Sequence, residues 1–227
     1  LINRIRQSFN IEPDESLVKK VTYRPFDDRY IYYDIKLVER SREKIMKNMI
    51  WRDNIWLDIC RQWATDKWTL VSIVNKIVDD SFVSNRTKER GYLFPLYLYS
   101  DSENLENQTR TPNLDETIWS AINAIVGETT PEQILDYIYA VLHSPSYREK
   151  YREFLKIDFP RVPYPRDRVS FLALVALGGE LRALHLLESS KVEDFITSYP
   201  VAGDNVVENV KYVDEKVFIN ATQYFGW

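Results

Sequence analysis

The residues that most restrict how this chain folds lie between Thr130 and Pro165. Thr130 can cap a helix, Pro131 suits its first position, and Gln133 completes a capping box. Ile134, Tyr137, Ile138, Val141 and Leu142 then recur at i, i+3, i+4, i+7 and i+8, which predicts an amphipathic helix ending near His143. Ser144 and Pro145 restart a second helix. Tyr147, Tyr151, Phe154 and Leu155 form its apolar stripe, and Arg148 and Arg152 lie one turn apart on a neighbouring face. Pro160, Pro163 and Pro165 forbid helix and favour a stiff, extended exit.

The flanking chain reads less sharply. Residues 18–24 predict a strand closed by Pro25, residues 25–29 a turn, and residues 30–33 an aromatic strand. A helix is expected over 38–49, with Val38, Arg42, Ile45, Met46 and Met49 on one face. Residues 55–61, 70–78, 82–83 and 92–99 read as the strands of an antiparallel meander. Residues 100–113 read as a surface loop, 115–126 as a helix and 169–188 as a third long helix. Gly178-Gly179 inside that helix costs about 1 kcal/mol per residue against Ala, which implies close approach to another element, or a kink. Residues 206–213 and 217–222 predict a hairpin around Asp214-Glu215. The fold class is α+β, with an antiparallel sheet in the N-terminal half and a helical C-terminal half ending in a β-hairpin. We expect one domain over 1–227: a lead-in over 1–16, mainly strands plus one helix over 17–100, helices over 114–190, and the hairpin over 205–227. The first residue is not Met and the last four are Tyr-Phe-Gly-Trp, so both ends look cut from a longer polypeptide.

The 227 residues carry a net charge of −4, which does not advertise nucleic acid, but the charge is uneven. Residues 1–100 hold 18 Lys and Arg against 14 Asp and Glu, whereas residues 101–227 hold 12 against 20. Within the acidic half, residues 145–170 hold 7 basic against 4 acidic side chains. A groove binder needs a local basic surface more than a high isoelectric point. No apolar run reaches the roughly 18–20 residues that span a membrane. A lone Cys60 excludes an internal disulfide framework and fits a reducing, cytoplasmic setting.

Most catalytic chemistry finds no residues here. The six glycines form no GxG, so dinucleotide, P-loop and S-adenosylmethionine loops are missing. Ser144-Pro145-Ser146-Tyr147 is similar to the base-holding motif of amino-methyltransferases, but its second proline is Ser, and helix capping accounts for it. Pro13-Asp14 followed by Asp34-Ile35-Lys36 fits a loose metal-nuclease pattern, although one that is short and common by chance. His143, His185 and Cys60 are too dispersed for a zinc site. No catalytic residue and no metal ligand is assigned. What remains is basic and aromatic: Arg40, Lys44 and Lys47 on one helix face; Asn85, Arg86, Lys88 and Arg90 in one polar loop; and Arg148, Arg152 and Arg161 around the proline-rich exit. Phosphates take Lys and Arg, guanine takes Arg, and adenine takes Asn or Gln.

Four blocks carry a family resemblance. YIYAVLHSPSYREKY at 137–151 with LKIDFPRVP at 155–163, YRPFD at 23–27, YLFPLY at 92–97 and LRALHLLE at 181–188 resemble the C-terminal specificity domain of type ISP restriction–modification enzymes. Those are single polypeptides joining nuclease, helicase-type ATPase, adenine-N6 methyltransferase and target-recognition parts. The resemblance implies a domain without catalysis of its own that binds double-stranded DNA and positions an adenine for methylation elsewhere. It implies the methyltransferase and helicase domains of the same polypeptide as partners, and no membrane. It also implies that S-adenosylmethionine, ATP and Mg belong to the full-length enzyme, with no cofactor in this domain. Arg24 and Arg29 are further DNA-binding candidates, and the loop at 85–90 is the expected reading head. The alternatives are a docking scaffold between domains or a metal-dependent nuclease.

Overall fold

The computed structural model describes residue 12 and residues 14–38, 42–50, 52–62, 68, 71–84, 89–100 and 109–227. The chain divides into two compact units, Leu1–Leu186 and Leu187–Trp227.

In the first unit, β1 (Val18–Arg24) and β2 (Asp27–Tyr32) form a hairpin, and β1 pairs in parallel with β5 (Ile77–Val78) on its other edge. A separate antiparallel sheet has β3 (Trp56–Cys60) between β4 (Val71–Val74) and β6 (Gly91–Pro95). Then β7 (Tyr97–Tyr99) pairs with β8 (Arg110–Pro112). The helices are α1 (Glu43–Ile50), α2 (Glu116–Val126), α3 (Pro131–His143), α4 (Pro145–Lys150), α5 (Arg152–Leu155) and α6 (Arg168–His185).

The α+β class and the antiparallel pairings agree with expectation, and several details differ. The expected meander is three small sheets, one containing the parallel β1–β5 pair. The expected helix at 38–49 begins only at Glu43, because Asp34 holds a turn and Arg42 has φ 48°, outside the helical region. Residues 82–83 are not a strand: the Asp79 carbonyl and carboxylate accept the amides of Phe82 and Ser81 and close a turn. Part of the expected loop at 100–113 is β8. The second proline-started helix breaks at Tyr151 (φ −106°, ψ 15°) into α4 and α5.

The capping box at Thr130 and Gln133 is present, with Pro131 at the first position. Helix α3 is buried on more than one face, from Ile134 to Leu142, and is the centre of the unit. Tyr139, Leu142, Phe171 and Leu155 are at most 1% exposed, and burying each side chain is worth roughly 1.5–3 kcal/mol. Gly178 lies against the backbone of Asp136, where a Cβ would overlap the carbonyl oxygen, so the paired glycines serve a close α3–α6 crossing. Arg182 spans that crossing, its Nε 2.7 Å and Nη2 3.1 Å from the two oxygens of buried Asp136. A second cluster (Tyr33, Met49, Trp56, Val74, Ile77 and Phe82) lies beneath α1 and the hairpin.

The second unit holds a turn of 3-10 helix (Ser190–Glu193) and a three-stranded sheet. Its strands β9 (Lys211–Val213), β10 (Lys216–Phe218) and β11 (Tyr224–Phe225) lie in the order β11-β10-β9. The expected terminal hairpin is thus present, shorter than read and extended by a third strand. Asp214 and Glu215 form its turn, both at positive φ. Buried Gln223 bonds Asn205, Asn220 and Val201, holding the loop before β9 onto the sheet.

Candidate nucleic-acid interface

Among the described residues, the β1–β2 hairpin gathers cations and aromatic rings closely. Register slips between Thr22 and Arg24, so Tyr23 is the extra residue of a bulge, a device that re-aims a side chain. The Arg24 and Arg29 guanidiniums lie 4.1 and 4.0 Å from the centroid of its ring. The two-residue tip, Pro25-Phe26, is tighter than the five-residue turn expected. Pro25 fixes its own φ, and Phe26 takes φ 66°, where Gly or Asn is usual. Phe26 and Tyr30 are both 66% exposed. Acidic neighbours order the array: Arg24 bonds Asp79 at 2.9 Å and Arg29 bonds Asp27 at 2.7 Å. Burial pushes Asp28 up, but hydrogen bonds from Lys76, Thr22 and Lys20 outweigh it and hold the carboxyl at about 2. These cations have acidic partners; Arg29 is exposed and Arg24 half-buried.

A second surface forms at the proline-rich exit. Prolines donate no hydrogen bond, so the segment is held through its carbonyls: Tyr147 donates to Arg161 at 2.9 Å and Tyr137 to Pro163 at 3.0 Å. Between α4, α5 and the exit lies a cleft of about 530 Å³ lined by Tyr151, Phe154, Ile157, Phe159 and Arg161. Phe159 meets Tyr92 and Phe94 of β6 edge-on, with centroids 5.2 and 5.6 Å away. Arg61 lies over the same ring at 5.9 Å and bonds Asp158 at 2.8 Å. Arg152 and Arg161 are exposed beside this cleft. Sequence reasoning missed Phe26, Arg61 and Phe159. The only local signal for the β6 rings is their alternation, Tyr92 and Phe94 outward with Leu93 between, which does not say which face is open.

The remaining candidates divide. Lys44 is exposed on α1 and Lys47 is half-buried one turn on. Helix α1 is tied to β7 through Asn48, which accepts from the Tyr99 amide at 2.8 Å, and through Asn54, which bonds Asn48 and Tyr97. Arg90 is exposed, 3.7 Å from Asp80. Arg148 turns inward: its Nε caps the Leu142 carbonyl at 2.7 Å, its guanidinium lies 5.4 Å from the Trp68 ring centroid, and burial pushes its pKa down. Arg40, Asn85, Arg86 and Lys88 lie outside the described residues, and with them most of the expected reading head.

The side chains of the alternative chemistries make local contacts. Ser144 caps α4 by accepting from the Tyr147 amide. The Asp14 and Asp34 carboxylates accept the Ser16 and Lys36 amides, each at 2.8 Å. His143 Nδ1 donates to the Tyr139 carbonyl at 3.0 Å and the ring is pushed down to about 4 by burial, and His185 meets the Tyr139 hydroxyl. No group of three metal-binding side chains occurs among the described residues. No helix among them is long and apolar enough to cross a membrane.

Ordered cations and exposed rings thus lie together at the tip of one hairpin of an α+β fold. The family model described as the Type ISP C-terminal specificity domain matches residues 1–226, and the chain belongs to that family. Its fold is similar to part of the ATP-dependent Type ISP restriction-modification enzyme LlaBIII bound to DNA, with a TM-score of 0.75 and 20% identity over 99% of this chain and 15% of that one. It is likewise similar to part of DrdV in a DNA complex solved by cryo-electron microscopy, with a TM-score of 0.74 and 22% identity over 96% of this chain and 22% of that one. A nuclease-deletion mutant of the Type ISP enzyme LlaGI, in complex with a DNA substrate mimic, gives a TM-score of 0.67 and 20% identity over 94% and 18%. The chain therefore spans only 15%, 22% and 18% of the lengths of these three chains. No curated protein matches in sequence.

Proposed function

We infer that this chain is the DNA target-recognition module of a restriction–modification polypeptide, binding a short duplex site and presenting an adenine to a methyltransferase domain elsewhere in that polypeptide. Family membership supports target recognition, and the DNA complexes of its structural relatives support duplex DNA as the ligand. Methyl transfer, ATP hydrolysis and cleavage, with S-adenosylmethionine, ATP and Mg, belong to other domains in this reading. The observation that carries the choice of surface is two guanidiniums against the Tyr23 ring beside exposed Phe26. Arginine reads guanine edges and phosphates, and an exposed ring can wedge or stack on bases.

The recognised site is obtained by methylome sequencing of a host expressing the full-length enzyme. Binding of the cognate and a scrambled duplex is then titrated across salt for wild type, Arg24→Ala, Phe26→Ala and Lys44→Ala. The hairpin variants should lose about 1–3 kcal/mol on the cognate duplex and less on the scrambled one. Lys44→Ala should weaken both alike and reduce the salt slope by about one. Equal losses on both duplexes for the hairpin variants would move the reading head away from residues 23–30. A wild-type chain with no salt-dependent affinity for its cognate duplex would remove the function altogether.

A further inference from the structure

Helix α6 is apolar on more than the face it buries. Phe171 and Gly178 are buried, and Leu174, Val175 and Leu181 pack on the core beside them. Val169, Leu172, Ala173, Ala176 and Leu177 form a second stripe at i, i+3, i+4, i+7 and i+8, and all are exposed, Val169 to 80% and Leu177 to 66%. No charged residue falls between Arg168 and Glu180. A helix that is apolar all round belongs in an interior, and α6 has cover on one side only.

Helix α2 repeats the pattern. Ile122 and Val126 are buried, while Ile118, Ala121 and Ile125 are exposed at i, i+3 and i+7. The two helices join end to end where Arg168 Nη1 donates to the Val126 carbonyl at the C-terminus of α2. Alanines between larger Ile, Val and Leu side chains leave grooves into which the ridges of another helix fit. The solved relatives are much longer chains. This chain covers only 15%, 22% and 18% of their lengths, and the family is by description a C-terminal domain. A tethered segment acts at an effective concentration in the millimolar range, ahead of a free partner.

We propose that the exposed stripe of α6, formed by Val169, Leu172, Ala173, Ala176 and Leu177, is the seat of an amphipathic helix from the polypeptide that precedes this domain, laid apolar side down along it. The proposal rests on the reading of this chain as one module of a longer enzyme and not on DNA contact.

The test is thiol labelling without DNA. Cys60 is 1% exposed and burial pushes its thiol up to about 12, so it is silent to a maleimide. Ala173→Cys places one accessible thiol on the stripe, and Lys44→Cys places a control on α1. Labelling is followed by peptide mass spectrometry in the 227-residue chain and in the full-length polypeptide. Ala173→Cys should react at least tenfold more slowly in the full-length polypeptide, with the control unchanged. Adding Leu172→Glu should restore the fast rate. Equal rates in the two chains would overturn the proposal, as would protection that survives Leu172→Glu. Slow labelling of the 227-residue chain that quickens on dilution would assign the face to a second copy and also overturn it. Failure of the DNA reading leaves all these rates unchanged, so the two readings fail separately.

Discussion

Among single residues, Asp58 is the one held most against its chemistry. It is 1% exposed in the middle of β3, and neither carboxylate oxygen has a donor in hydrogen-bonding geometry. Gly91 on β6 makes room for it, since a Cβ there would overlap the carboxylate. Burial pushes its pKa up to about 7, with a smaller downward pull from the Ile59 amide. An acid whose folded pKa is raised binds its proton more tightly in the native state. Stability is therefore greatest below the unfolded pKa and falls as pH rises toward 7. About three pKa units correspond to a penalty of up to about 4 kcal/mol, and an unpaired amide costs roughly 1–3 kcal/mol. Asp58→Asn should accordingly gain about 1–3 kcal/mol above pH 7 and little near pH 4. Urea unfolding of both proteins across that range reads the difference, and parallel pH profiles would show that the carboxylate does not titrate there.

Two elements carry predictions of their own. At the α3–α6 crossing, Asp136 is buried with Arg182 as its bidentate partner. Removing one member of such a pair leaves an uncompensated charge and costs about 3–5 kcal/mol. Arg182→Ala should lower the urea midpoint without changing the salt slope of DNA binding. A loss below 1 kcal/mol would mean that water replaces the guanidinium. In the C-terminal sheet, Asp214 and Glu215 join β9 to β10 with φ of 49° and 60°. That combination belongs to the I′ turn, which prefers Asn or Asp followed by Gly. Glu215→Gly relieves the second strained position and should stabilise the hairpin by about 1 kcal/mol. Slower amide exchange over residues 211–218 is the readout, and faster exchange would mean that the Glu215 side chain contributes more than its backbone costs.

At the scale of the molecule, what could be read from sequence was what neighbours in sequence decide. Helix α3 announced itself through Thr130, Pro131 and Gln133. The misread segments were set by contacts that periodicity does not carry. Asp79 turns residues 80–82 back with its own backbone and carboxylate, and β8 exists only because it meets β7. For the interface, side-chain type was legible and circumstance was not. Arg24 finds Asp79, 55 positions away, and Phe159 meets rings from β6. Arg148 looked like its neighbour Arg152, yet it is spent on the Leu142 carbonyl.

The pairing of β1 with β5 also bears on the order in which the molecule comes together. Val21 meets Ile77 and Thr22 meets Val78, so the inner edge of the β1–β2 hairpin stays open until the chain is made as far as β5. A two-stranded hairpin is marginal alone in water, and an open edge invites the wrong strand. The tip bearing Phe26 therefore depends on β5 for the support of its base. Transplanting it into another scaffold requires a surrogate for β5, and a peptide of residues 18–32 alone should not hold its register.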